Sequence, residues 1–597
     1  MKKLLMGNEA IAFGAIKAGV KVVCGYPGTP STEVLETVAK NNDCGIYVEW
    51  SVNEKAAMEL GAGASYSGAR VMVTMKQVGL NVASDPLMSL TYIGTKGGMV
   101  ILVADDPGPN SSQTEQDTRH FAKFSNLPVL DPSTPEEAYE MVQYAFELSE
   151  KIGLPVFLRP TTRVCHACAA VDIAGERYEY KPEGFVKSSK WVIFPALAYK
   201  KHIELEKQQD EIAKVFDNCR FNSISGGGKI GIAASGIAYA YAHDAIEKLG
   251  LNIKLFKVAT AYPFPSGKAA EFLEGIDMAL VIEELDPVIE EALKLEAYKI
   301  GSKAKIFGKS TGNVPKIGEL SFEKVEKIIA DFMNTENPQE EEDGYPEALP
   351  MRAPNLCAGC PHRASFYAVK QAMKGEKAVF TGDIGCYTLG NAKPLDMTDT
   401  CLCMGASITV AQGIKRVEPG TKLFAFIGDS TFFHTGIPGI VNALYNGTQI
   451  TIVVLDNSTT AMTGHQPHPG IGRTMMGGES PKISIYDTLK ALGVEYVRRV
   501  NPFDQKAAIE TAKEAARQPK VSAIVFEAPC IALFKKESTY KVDTDKCKAC
   551  SKCIKEIGCP AIHLDKNKKA EIDDSLCYGC GLCTGICPFG AIGRVQK

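Results

Sequence analysis

Leu423-Phe-Ala-Phe-Ile427-Gly428-Asp429-Ser430, followed after a helix-like segment Gly436–Tyr445 by Ile450-Thr-Ile-Val-Val-Leu455-Asp456-Asn457, is the stretch that decides the fold. Both apolar runs are short, aromatic or β-branched and bounded by turn residues, so they read as buried strands flanking a crossover helix. In a parallel βαβ unit of this kind both strands end at the same carboxyl edge, where open α/β sheets bind their ligands. Asp429 and Asn457 are thereby predicted to meet on one ion. Their oxygens suit a hard cation that keeps phosphate oxygens in its shell.

Working outward, the same alternation recurs. Strands are predicted at Val20–Cys24, Val71–Met75, Met99–Ala104 and Leu154–Leu158, and helices at Asn53–Ser67 and Pro135–Ser149. The fold class is multidomain α/β with parallel sheets. With 597 residues the chain exceeds one core, and roughly three to five domains are expected. The divisions fall at 1–190, a charged helical connector 191–225, a second α/β block 226–335, an acidic Pro-containing linker 336–352, a third block 353–535 and a tail 536–597. Lys+Arg 66 against Asp+Glu 70, with no single-sign stripe, argues against nucleic acid as a partner. Met1-Lys2-Lys3-Leu4-Leu5 mimics a signal-peptide start, but Asn8, Glu9 and Lys17 interrupt it and no long apolar span follows. The expectation is a soluble cytoplasmic protein with no membrane partner.

Of 19 cysteines, eight crowd between Cys547 and Cys587. Clustered thiols in a large chain of this class hold metals rather than disulfides. The tail repeats itself: Cys547-x2-Cys550-x2-Cys553 leads to Cys559-Pro560, and thirty residues on Cys577-x2-Cys580-x2-Cys583 leads to Cys587-Pro588. The second run is that of bacterial-type two-cluster ferredoxins, in which the fourth cysteine ligates the other cluster. One 4Fe–4S cluster is therefore assigned Cys547, Cys550, Cys553 and Cys587, the other Cys577, Cys580, Cys583 and Cys559. Five residues rather than three separate Cys553 from Cys559, a departure that leaves the ligand-proline pair intact. A zinc ribbon is the alternative, but zinc needs neither the third CxxC step nor the trailing Cys-Pro.

The Asp429–Asn457 spacing resembles the diphosphate-binding motif of thiamine-diphosphate enzymes, which begins Gly-Asp-Gly and ends in Asn. The resemblance assigns Gly428, Asp429 and Ser430 to the diphosphate end. It gives Asp429, Asn457 and the Thr459 carbonyl to Mg²⁺. Ser430 and Asp456 depart from the usual residues without removing a ligand. Asn53-Glu54-Lys55-Ala56-Ala57, followed by the small residues Gly61-Ala-Gly-Ala-Ser, resembles the element of 2-oxoacid:ferredoxin oxidoreductases whose glutamate hydrogen-bonds the aminopyrimidine. That makes Glu54 the general acid/base; Glu49 and Glu59 are the alternatives, and a helical Glu is otherwise a solvated surface residue. Tyr26-Pro-Gly-Thr29-Pro-Ser-Thr32 resembles the segment of pyruvate:ferredoxin oxidoreductases whose threonine, here Thr29, hydrogen-bonds the oxoacid. Arg119 falls where an arginine pairs the substrate carboxylate, with an ordinary surface Arg as the other reading. Cys357, Cys360, Cys386 and Cys530 resemble a third cluster quartet; buried free thiols stand beside that reading. Cys165 and Cys168 read as structural.

The order of pyrimidine-type, transketolase-C-like, diphosphate-type and ferredoxin domains, with Leu356-Cys-Ala-Gly-Cys-Pro-His-Arg363, Asp399-Thr-Cys-Leu-Cys-Met-Gly405 and Thr463-Gly-His-Gln-Pro-His-Pro-Gly470, resembles the alpha subunits of the indolepyruvate:ferredoxin oxidoreductase family. What this implies is oxidative decarboxylation of aryl pyruvates (indolepyruvate, phenylpyruvate, hydroxyphenylpyruvate) to aryl-acetyl-CoA and CO₂. Coenzyme A would be co-substrate, and electrons would pass through the clusters to external ferredoxin. A smaller beta subunit carrying a gamma-type domain is the expected partner. A pyruvate or branched-chain 2-oxoacid enzyme would share every cofactor motif. A non-catalytic electron-transfer subunit would have lost Asp429, Asn457 or Glu54, and all three are present.

Overall fold

The computed structural model describes residues 2–335, 353–536 and 538–596. The linker expected over 336–352 lies outside the described residues. The chain divides into two units, Met1–Tyr345 and Pro346–Lys597.

In the first unit a parallel six-stranded sheet runs in the order Tyr47–Trp50, Val22–Gly25, Val71–Lys76, Met99–Ala104, Val156–Leu158, Val129–Leu130. Met99–Ala104 is buried at every position, so successive side chains enter apolar surroundings on both faces, as the centre of a parallel sheet demands. The helix Pro135–Ile152 begins where Thr134 accepts from the Glu137 N–H at 3.2 Å and Pro135 presets the first turn. It ends at Gly153, whose φ of +68° is the left-handed stop. Its buried face carries Met141, Val142, Ala145 and Phe146, and each large apolar side chain contributes roughly 1.5–3 kcal/mol. The signal-like start is a strand: Lys2–Met6 pairs antiparallel with Cys168–Asp172. Alternation explains it, since Leu5 is buried while Leu4 is 75% exposed.

The second sheet of this unit runs Lys305–Phe307, Met278–Ile282, Ile230–Ala234, Lys254–Lys257, Ser223–Gly226, with only the last strand antiparallel. Ser223–Gly226 straddles the end of the 191–225 stretch read as connector. Four residues, two of them serine, carry too little apolar pattern to announce an edge strand. Ahead of it the helix Pro195–Asp217 buries Leu205, Ile212 and Phe216.

The second unit is built on a fully parallel sheet ordered Ala378–Thr381, Lys422–Gly428, Thr451–Asp456, Ser522–Glu527, Tyr496–Val500. Gly428 pairs in register with Leu455, so Asp429 and Asp456-Asn457 leave adjacent strands at the same edge. The crossover helix Ile437–Tyr445 is entered through a π-helical turn, Phe432–Gly436. Such turns are frequent at functional sites. In the tail, Ser538–Val542 pairs antiparallel with Ile592–Gln596 and Ile562–Leu564 with Ala570–Ile572, which closes the duplicated halves on each other. Among the described residues no helix is long and apolar enough to cross a membrane.

Candidate functional site

At the edge where Lys422–Gly428 and Thr451–Asp456 end, Asp429 is buried and held from several sides. Its Oδ1 accepts the Ser430 N–H at 2.8 Å and its Oδ2 the Asn457 N–H at 3.1 Å. Burial pushes its pKa up, but His468, 3.2 Å away, and the Ser430 N–H hold the carboxyl below the usual range. The carboxylate is therefore charged at neutral pH, as a cation ligand must be. Asn457 Oδ1 accepts the Thr459 N–H at 3.2 Å, and its amide nitrogen lies 3.2 Å from His362 Nε2. Burial lowers His362 to about 4, against the opposing pull of Asp429, so the ring is neutral. Gly428 is required: an added Cβ would stand 2.6 Å from the Tyr387 ring. Ser430, where the motif expects glycine, accepts the Thr460 hydroxyl at 3.0 Å.

Next to Asn457, which accepts its N–H, the buried Thr459 Oγ1 has no hydrogen-bond partner. His468 faces Asp429 as an ion pair. Orphaned buried polar atoms cost about 1–3 kcal/mol each unless a ligand satisfies them, so this edge fits a cation-bridged diphosphate. Sequence reasoning missed His362 and His468 as members; both stood in quoted segments without a role. It also missed Asp383, buried at the neighbouring strand end, where its carboxylate accepts the N–H groups of Ile384 and Gly405 at 2.7 Å each. Burial pushes Asp383 up to about 7.

The first unit gathers Thr29 and Glu54 at its own carboxyl edge. Asn53 caps the helix Glu54–Tyr66 by accepting the Ala56 N–H at 2.8 Å, which fixes Glu54 in the first turn. Glu54 is only 5% exposed, and its carboxyl lies over Gly79, where an added Cβ would stand 2.5 Å from Oε1. It is not a solvated surface residue. Glu59 pairs with Lys55 in solvent, and Glu49 accepts from Tyr47 and Ser51. Lys76, which ends the strand Val71–Lys76, also belongs here. Burial lowers its pKa against the pull of Asp106 and Glu54, and its stem packs against the Gly28 backbone next to Thr29. The sequence signal was a lysine closing a strand whose other residues, Thr74 apart, are apolar. Thr29 is half-buried, and its carbonyl accepts from Ser111 Oγ at 3.1 Å.

Arg119 requires a correction. It is neither a surface residue nor available to a substrate carboxylate: the side chain is fully buried, with Nε and Nη2 on Asp117 and Nη1 2.7 Å from Glu283. Nη2 also donates to the carbonyls of Glu284 and Asp286. Arg159 extends the network to Asp105 at 2.7 Å and Asp131 at 3.2 Å. The guanidinium fork joins the first sheet to the second instead of reaching solvent.

The tail cysteines converge in two sets. Cys547, Cys550, Cys553 and Cys587 line one cavity; Cys559, Cys577, Cys580 and Cys583 line another. Burial raises Cys553, as does the charge of its three set-mates, and the same holds for Cys583 in the second set. Four mutually repelling thiolates are stable only around a cation centre, so both sets fit a cluster. Of the third quartet, burial and the charges of Cys530 and Cys357 push Cys386 up to about 11, and burial and Cys357 raise Cys530. Cys360 feels Cys357 and also lines the Cys559 cavity. Iron analysis of anaerobically purified protein is expected to give about eight atoms per chain if only the tail is loaded and about twelve if this quartet also holds iron. Zinc in place of iron would sink the ferredoxin assignment.

Family models match along the chain: pyruvate flavodoxin/ferredoxin oxidoreductase, thiamine diphosphate-binding, over 13–190; the indolepyruvate oxidoreductase domain over 222–335; the C-terminal thiamine pyrophosphate-binding domain over 383–526; and a 4Fe–4S binding domain over 570–593. Indolepyruvate oxidoreductase subunit IorA of Thermococcus kodakarensis is 44% identical, covering 100% of this chain and 97% of its own. The IorA subunits of Methanothermobacter thermautotrophicus and Archaeoglobus fulgidus are 43% and 40% identical, each covering 99% of this chain and 97% of its own. A solved 2-oxoglutarate:ferredoxin oxidoreductase from Magnetococcus marinus aligns over 55% of this chain and 65% of its own at 18% identity, with a TM-score of 0.45. With thiamine diphosphate-binding domains and a ferredoxin-type iron–sulfur domain matched in this order, the chain belongs to the IorA family of indolepyruvate oxidoreductase subunits, within the 2-oxoacid:ferredoxin oxidoreductases.

Proposed function

We propose that this chain oxidatively decarboxylates aryl pyruvates (indolepyruvate, phenylpyruvate and hydroxyphenylpyruvate) to the aryl-acetyl-CoA and CO₂, passing electrons to external ferredoxin in the cytoplasm. A smaller beta subunit with a gamma-type domain completes the enzyme, in keeping with the relatives' description as subunits. The observation that carries this reading is the meeting of Asp429 and Asn457 at adjacent strand ends, beside the orphaned hydroxyl of Thr459.

Bound thiamine diphosphate supplies the carbanion chemistry that decarboxylation needs, and the clusters accept electrons singly. Asp429, Asn457 and the Thr459 carbonyl would hold the Mg²⁺ of the diphosphate end. His362 orients the Asn457 amide through its neutral ring. Glu54 would be the general acid/base for the aminopyrimidine ring, and its burial against Gly79 keeps its carboxyl in one place. Thr29, half-buried at the same carboxyl edge as Glu54, offers its hydroxyl to the oxoacid.

The test is turnover of the chain with its smaller partner, read as viologen reduction with indolepyruvate, phenylpyruvate, pyruvate and 2-ketoisovalerate. Aryl substrates are expected to lead by on the order of tenfold or more in kcat/KM. The chain alone is expected to bind thiamine diphosphate with little turnover. Faster pyruvate or 2-ketoisovalerate oxidation would assign the site to alkyl 2-oxoacids.

A further inference from the structure

The two cysteine cavities of the tail differ in what surrounds them. The Cys559 set is covered from within the second unit: Ala358, Gly359 and Cys360 line its cavity. An added Cβ at Gly359 would stand 2.7 Å from Tyr578 Cβ, and Arg363 donates to the carbonyls of Ile557 and Gly558. The Cys547 cavity is lined by tail residues alone, with Lys548, Lys552, Pro588 and Phe589 at its rim. Lys548, Lys552, Cys550, Pro588 and Phe589 are exposed.

Charge separates the halves in the same sense. Residues 541–569 carry eight lysines against four acids, whereas residues 570–597 carry two basic residues against three acids. Those four acids are largely occupied. Asp543 pairs with Lys546 at 2.9 Å, Asp565 caps its own turn by accepting from Asn567 and Lys569, and Glu556 accepts from Gln371 at 3.3 Å. Among the described residues no carboxylate pairs with Lys548, Lys552 or Lys555. The matching loop of the other half, Ser575–Thr584, has no charged residue. An iron–sulfur core in four thiolates is net negative and would repel an acidic carrier, and an uncompensated lysine rim reverses that field at the exposed mouth.

We propose that the lysine rim around the Cys547–Cys550–Cys553–Cys587 centre is the docking surface for an acidic one-electron carrier protein. One electron leaves the reduced outer centre and reduces the carrier by one; no proton or group is transferred. The proposal rests on the function above only for the origin of the electrons.

It is tested on the full chain reduced with dithionite, so that substrate turnover does not enter. Electron transfer to a strongly acidic bacterial ferredoxin is followed by stopped flow across a salt series, and binding of that ferredoxin by interferometry. The combined Lys548→Gln, Lys552→Gln and Lys555→Gln variant is expected to lose on the order of tenfold in rate and affinity and to show a flatter salt dependence. Its iron content and its reduction of methyl viologen are expected to match the parent. If the variant loses iron, the parent chain decides: ferredoxin with amidated carboxylates should bind and react as weakly as the variant would. Unchanged rate, affinity and salt slope in either arm overturn the docking surface. Failure of 2-oxoacids to reduce viologen on the enzyme with its partner overturns the proposed function instead, and leaves this measurement standing.

Discussion

Glu54→Gln is expected to lower turnover by on the order of 10²–10⁴, the range for loss of a general acid/base, while thiamine diphosphate binding changes far less. The substitution keeps the shape of a side chain wedged against Gly79, where no larger residue fits, so the fold and the Asn53 cap are retained. What is lost is the acid function of one carboxyl. Hydrogen–deuterium exchange at thiamine C2 reads that loss directly. Exchange as fast as in the parent would show that Glu54 is a packing residue and that the acid/base function resides elsewhere. Asp429→Ala supplies the contrast: Mg²⁺-dependent cofactor retention is expected to vanish while the iron content of the tail is unchanged.

Arg119→Met is expected to destabilise the first unit by about 3–5 kcal/mol, the cost of breaking one partner out of a buried ion network. Glu283 would be left buried without its guanidinium and Asp117 with only Arg159 at 3.9 Å, and Asp105, Asp131 and Glu284 add three more carboxylates nearby. Burial already pushes Asp105 up to about 6 and Glu284 up to about 7, which marks how little positive charge is to spare. Denaturant unfolding of the variant should show an earlier transition. A variant of parental stability with a raised KM for the 2-oxoacid would return Arg119 to the substrate.

The outcome at Arg119 shows where a sequence stops being legible. Strands such as Met99–Ala104 and the capped helices declare themselves through periods of two and 3.6 residues and through local caps, and the parallel βαβ logic places Asp429 beside Asn457 from spacing alone. The cysteine quartets are readable because ligand spacing is local chemistry. A long-range ion partner is not: nothing near Arg119 announces Glu283, 164 residues away. The same holds for His468, whose relation to Asp429 depends on how the segment after Asn457 folds back, with Thr460 and Gln466 bridging. The edge strand Ser223–Gly226 escaped because main-chain pairing with Lys254–Lys257, not side-chain pattern, makes it a strand.

The interleaving of the two cysteine sets governs how the tail assembles and fails. Cys587 belongs with the 547–553 loop and Cys559 with the 577–583 loop, so neither half of the duplication closes a cavity by itself. Iron captured by one half recruits a residue of the other, which makes loading of the two centres a linked event rather than two independent ones. Damage travels the same way. An oxidant that opens the exposed Cys550 side frees Cys587, and only three residues separate Cys587 from Cys583 in the covered centre. The exposure that lets the outer centre meet a partner thus makes it the point from which the whole tail would unravel in air.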